Sequence, residues 1–165
     1  MSKGDIKIVE PKDLSTRVFQ VASGALTSIL AGEPVVATAG TATVAKMSDG
    51  KPVVGTDYLI GIASEDSTDT VAAAGTVQVY VLRGGEILSL KTKVAGTSDT
   101  LSEIRALAND HLVMDLTSSA WTLDAAAGHV VSGGLIATGE GEPENSRMYV
   151  LVRSAATQVG CDIAA

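Results

Sequence analysis

The chain has 165 residues, of which 45% are hydrophobic but only 3% aromatic, and carries a formal net charge of −7. That length allows one domain with a real core, and a core so poor in aromatics is built from small, largely β-branched side chains. The acidic balance argues against non-specific nucleic-acid binding, which needs Lys and Arg to displace phosphate counterions, and no apolar run approaches the ~18 residues of a transmembrane helix.

Residues 1–16 read as an extended N-terminal arm. Ile6, Ile8 and Val9 are mixed with Lys3, Asp5, Lys7 and Glu10, and Pro11 prevents a long regular element. Residues 1–20 carry four basic and three acidic groups, the one slightly positive part of the chain; residues 21–80 carry two and six. Residues 17–22 read as a strand ended by Ser23-Gly24. Residues 25–30 fit either a strand or a short helix. Gly32-Glu33-Pro34 is a turn, 35–38 a strand, Ala39-Gly40 a turn and 41–47 a strand. Ser48-Asp49-Gly50-Lys51 is a strong turn signal, because Asp-Gly readily takes positive φ.

Two apolar runs, 58–63 and 76–83, flank a polar, acidic, small-residue loop. Val77, Val79 and Val81 alternate with Thr76, Gln78 and Tyr80, the period-two pattern of a strand. Gly84-Gly85 turns the chain into 86–91. The one convincing helix spans about 100–109. Thr100-Leu101-Ser102-Glu103 has the spacing of a capping box, Leu101, Ile104, Leu107 and Ala108 share a face, and Asn109 is a C-terminal stop. Residues 112–116, 120–123, 129–132, 135–138 and 148–153 read as further strands, with 139–145 (GEGEPEN) an acidic loop. The sum is a mainly β chain: a compact barrel- or sandwich-like domain over 17–165, one short helix, and the arm.

The sequence offers little chemistry. It has no GxxxxGK[ST] and no GxGxxG. Ser132 lacks the glycine two positions earlier that a nucleophile elbow requires. His111 and His129 lie in no motif that supplies an orienting acid. The loops with Glu65, Asp66 and Asp69, and with Glu140, Glu142 and Glu144, offer oxygen ligands, yet neither follows EF-hand spacing. Cys161 is the single cysteine, so no intramolecular disulfide forms, and a reducing compartment is expected. No signal peptide is visible behind Met1. Trp121 is the one large aromatic anchor, an interface hot spot or, in the favoured reading, a core residue. No enzyme, cofactor or metal is expected.

Four stretches carry a family resemblance: Gly32-Glu33-Pro34-Val35, Leu59-Ile60-Gly61-Ile62-Ala63, the polar loop 64–75, and Thr76-Val77-Gln78-Val79-Tyr80-Val81. In this order they resemble phage head decoration proteins, also called capsid cement proteins. The likeness covers roughly residues 17–91; residues 130–153 are similar only in texture. It implies a virion protein, made in the bacterial cytoplasm, that sits on the capsid exterior. There it would clamp neighbouring major capsid protein subunits against the pressure of packaged DNA. It further implies a homo-oligomer, with a trimer favoured, and no nucleic-acid or membrane partner. The chain is longer than the smallest members, and the helix near 101–108 reads as an insertion.

The arm is the expected contact. Residues 1–10 would add a strand to an open sheet edge of the shell. Ile6, Ile8 and Val9 would make the apolar contacts, and Lys3 and Lys7 would steer toward an acidic surface. Deleting residues 2–12 should then abolish capsid binding and leave the fold intact. The competing reading is a tail, fibre or other surface β-module that binds a host glycan or protein; the scarcity of aromatics counts against a glycan groove.

Overall fold

The computed structural model describes residues 6–23, 28–37, 42–55, 58–125 and 131–157. The chain is mainly β, with a closed five-stranded barrel, a curled six-stranded sheet and one short helix. The barrel uses β2 (Thr16–Val21), β3 (Pro34–Ala37), β4 (Thr43–Lys46), β5 (Leu59–Ala63) and β6 (Gly75–Val81), closed in the order β2-β4-β3-β5-β6. The β2–β4 pair is parallel and the other four pairs are antiparallel. The sheet uses β1 (Lys7–Glu10), β7 (Ile87–Lys91), β8 (His111–Thr117), β9 (Ala120–Asp124), β10 (Leu135–Glu142) and β11 (Arg147–Val152), in the order β1-β7-β11-β10-β8-β9. It curls because the chain just after β7 reaches β9. Thr92 bridges Leu123, and the Lys93 amide donates to the Leu123 carbonyl at 2.8 Å.

Five strands enclose little space, so the barrel interior takes small side chains. Val21, Ile29, Val35, Val44, Ile60, Ala63, Val77 and Val79 fill it. A second cluster joins the sheet residues Leu88, Leu90, Leu112, Met114, Leu135 and Val150 to Val36, Leu59 and Ile62 of the barrel wall. Strands β3 and β5 are thus buried on both faces, and β5 is buried at every position. That is why it reads as the unbroken apolar run LIGIA rather than as an alternating strand. Each Leu, Ile or Val so buried contributes about 1.5–3 kcal/mol.

A bulge in β5 makes the double burial possible. Val35 pairs with Gly61 but Val36 pairs with Leu59, leaving Ile60 as the extra residue. The bulge puts Leu59 and Ile62 into the same cluster although they differ in parity, while Ile60 enters the barrel. Gly61 is required beside it: a Cβ there would overlap the Tyr80 carbonyl oxygen and meet Val79 Cγ1 at 2.8 Å.

The helix α1 (Leu101–Ala106) has the expected capping box. The Thr100 hydroxyl accepts the Glu103 amide, and the Glu103 carboxylate accepts the Thr100 amide at 2.9 Å. The helix is shorter than its sequence pattern. It ends before Asn109, whose φ of 70° marks the left-handed stop and whose amide donates to Ala137. Of its expected apolar face only Ile104 is fully buried, and Leu101 is 46% exposed.

Three readings need correction. Residues 139–145 are not all loop: β10 runs through Glu142, and only Pro143–Asn145 forms a 3-10 turn. The strand is hidden in the sequence because it is bulged between Ala137 and Gly141, where Gly139 takes a φ of 81°. Residues 131 and 132 form a turn rather than part of a strand, with Val131 exposed; 129 and 130 lie outside the described residues. Residues 7–10 of the arm are the end strand of the sheet, with Lys7 opposite Ser89 and Ile8 opposite Leu88. Of the ambiguous segment 25–30, residues 28–30 are irregular and 25–27 lie outside the described residues. Trp121 is fully buried, as expected of a core residue.

Candidate functional site

A largely apolar concavity lies where the chain before the barrel meets the barrel wall. It is a groove of about 380 Å³. β1 supplies Ile8, the residue just before that strand Ile6, the following linker Lys12 and Leu14, and the turn before β3 Ala31 and Gly32. The ends of β5 and β6 supply Ile62, Ala63, Ser64 and Tyr80. Alternation explains the first wall. Ile6, just before β1, and Ile8 within it turn to the inner side, while Lys7 between them is exposed.

The wall at Ala31-Gly32 is held rigidly. The Gly32 amide donates to Ala63 at 2.8 Å, and the Ala63 amide donates back to Glu33 at 2.9 Å. The Glu33 carboxylate accepts the Leu30 amide at 2.9 Å and lies 3.0 Å from Lys46 Nζ, with its side chain wholly buried. Asp66 accepts the Ala31 amide at 2.8 Å. The acidic loop after β5 therefore spends a carboxylate on fixing the turn. Ser64 donates its hydroxyl to the Gln78 carbonyl at 3.1 Å. The described lining is mostly aliphatic, with the Ser64 and Tyr80 hydroxyls and, among the described residues, Lys12 as its one charged member.

The expected arm contacts divide. Ile6 is 8% exposed and belongs to the larger core cluster, so its side chain serves the fold. Ile8 is half-buried and packs on the same cluster. Val9 is half-buried at the point where the β1–β7 register slips, opposite no residue of β7. Lys7 is exposed, and Lys3 lies outside the described residues. Sequence reasoning missed Lys12, Leu14, Ala31 and Tyr80. Nothing in their spacing joins them; only the packing of β1 against β5 and β6 does.

Elsewhere, Arg147 is buried and donates to Ser89, Glu86 is buried and accepts the Arg83 and Gly84 amides, and other ionisable groups pair nearer the surface. Lys93 Nζ lies 2.5 Å from Asp115 and 3.4 Å from Asp124. The hydrogen bond and charge of Asp115, helped by Asp124, raise its pKa above the ordinary lysine value. The Tyr149 hydroxyl donates to Glu142 at 3.0 Å, and Asn145 donates to the same carboxylate at 3.1 Å. Those bonds lower the Glu142 pKa, and the bond to Glu142 raises that of Tyr149. Among the described residues no group of three or more His, Cys, Asp or Glu could hold a metal ion, and no helix is long and apolar enough to cross a membrane. His111 begins β8, opposite Ile136; His129 and Cys161 lie outside the described residues.

Comparison with known proteins finds no matching family model, no matching curated protein and no matching solved structure.

Proposed function

We propose that this chain is a structural virion protein of the head-decoration type, which binds the outside of an assembled phage capsid and clamps neighbouring major capsid protein subunits. One observation supports the reading above others. The stretches that carry the sequence resemblance, around Val35, Leu59 to Ala63 and Thr76 to Val81, are β3, β5 and β6, and these three lie side by side in one barrel. The likeness therefore falls on a contiguous structural unit rather than on scattered segments.

The mechanism is mass action. A clamp that binds only the assembled shell lowers the free energy of that state and leaves free subunits untouched. Repetition over the lattice multiplies a modest interface. The barrel, with small side chains inside and a double-buried wall against the sheet, gives the clamp a stiff body. A trimer over a local three-fold position would let each copy bridge subunits.

The test is co-sedimentation of the full chain with DNA-free, expanded capsids of the virus that encodes it, followed by heating decorated and bare shells. Saturable binding and a higher shell melting temperature are expected. A chain that stays in the supernatant would transfer the case to a tail or receptor-binding module.

A further inference from the structure

We propose that the groove between β1 and the barrel is the seat for the shell, and that it takes an extended segment of the capsid subunit bearing a large apolar side chain beside a carboxylate. This rests on the decoration reading and assigns that reading a contact site different from the free arm. The groove's volume, about 380 Å³, falls in the range of pockets that enclose a ligand or an inserted side chain. Its walls at Ile6, Ile8, Leu14, Ile62 and Ala63 suit an aliphatic or aromatic group.

Preorganisation favours an occupant over collapse. The turn at Ala31-Gly32 is tied to β5 by two main-chain hydrogen bonds and backed by the buried Glu33–Lys46 pair. An interface that is already in place loses less entropy when a partner enters.

Charge selects the partner's polar neighbour. The chain as a whole is at −7, yet among the described residues the charged one lining the groove is Lys12, which is exposed, while the Asp66 carboxylate beside the Ala31 wall is held by the Ala31 amide. An incoming acidic residue meets that cation, whereas a basic segment meets it as repulsion. A phosphate chain would find a single cation among apolar walls, which favours a peptide over a nucleic acid. An extended form for the segment suits β1, the end strand of the sheet, whose one neighbour among the described strands is β7. A further strand can add beside such an end strand through main-chain hydrogen bonds.

The experiment measures saturation binding of the full chain to the same expanded capsids, for wild type, Ala31→Phe, Lys12→Glu and the control Val131→Lys. Thermal melting of each free protein runs alongside. Ala31→Phe fills the groove; Lys12→Glu reverses its charge on an exposed side chain and leaves the packing alone. Each is expected to weaken binding by about tenfold or more at an unchanged melting temperature, with the Lys12→Glu loss shrinking in high salt. Val131→Lys, on an exposed turn, should bind as wild type. If wild type binds and both groove variants bind within about twofold of it, the seat is elsewhere and the inference fails while the decoration reading stands. If wild type itself does not bind, both fall together. Should Ala31→Phe fail to fold, Lys12→Glu alone decides.

Discussion

Lys46 Nζ lies 3.0 Å from the carboxylate of Glu33, a side chain with no exposure at all. The pair joins the start of β3 to the end of β4 and backs the turn that forms one wall of the groove. Burying a carboxylate is costly unless its partners stay in place. Lys46→Met is expected to lower stability by about 3–5 kcal/mol, because it leaves the Glu33 charge buried with one partner fewer. Replacing both residues with apolar ones should recover much of that loss. Urea unfolding of the two variants checks it; a loss in Lys46→Met below the range of a surface pair would refute the buried-pair argument.

Gly61 is the tightest position of the barrel wall, since any Cβ would collide with the Tyr80 main chain. A backbone atom cannot swing away as a side-chain tip can. Gly61→Ala should therefore cost about 3 kcal/mol, at the upper end of overpacking substitutions. Gly50→Ala meets nothing within 4 Å but has a φ of 72°, so its cost is backbone strain alone and should be smaller, about 1 kcal/mol. Thermal denaturation of the two variants ranks them, and equal losses would show that β5 and β6 can separate.

Ile6 tests whether β1 belongs to the domain. Its side chain is 8% exposed and packs in the larger core. Ile6→Ala is expected to reduce stability by about 2–4 kcal/mol. By the same reasoning, deleting residues 2–12 removes a core residue and an end strand, so the truncated chain should be less stable as well as unable to line the groove. Unchanged unfolding of Ile6→Ala would restore the picture of a detached arm.

The Tyr149–Glu142 hydrogen bond should appear in pH dependence. Glu142 has a lowered folded-state pKa, so its contribution is present above the ordinary glutamate value and lost as pH falls through the lower folded one. Tyr149 has a raised pKa, so its contribution holds below the ordinary tyrosine value and is lost as pH rises through the higher folded one. Tyr149→Phe removes the main cause of the Glu142 shift. Carboxyl-carbon NMR should then show the Glu142 midpoint moving up toward the ordinary glutamate value of about 4.3. A midpoint that does not move would assign the shift to Asn145 and the nearby cations instead.

The class of fold was legible in the chain because strand signals are local. Alternating Val77, Val79 and Val81, the Asp49-Gly50 and Gly84-Gly85 turns, and the Thr100 to Glu103 capping box each act within a few residues, and each stands in the structure. The scarcity of aromatics anticipated the small side chains inside the barrel, but not the larger cluster, which is rich in Leu and Met and holds Trp121. What lay beyond the sequence were relationships set by register and packing. The bulge at Ile60 depends on how β5 meets β3, and the strand through Gly139 depends on a bulge against β11. The burial of Ile6 depends on β7, some eighty residues along the chain. Alternation in residues 6–9 showed that two faces exist but not which one the protein would cover with its own core. Only the docking of β1 on β7 decided that, by turning Ile6 and Ile8 inward and opening beside them a groove whose walls come from five separate parts of the chain.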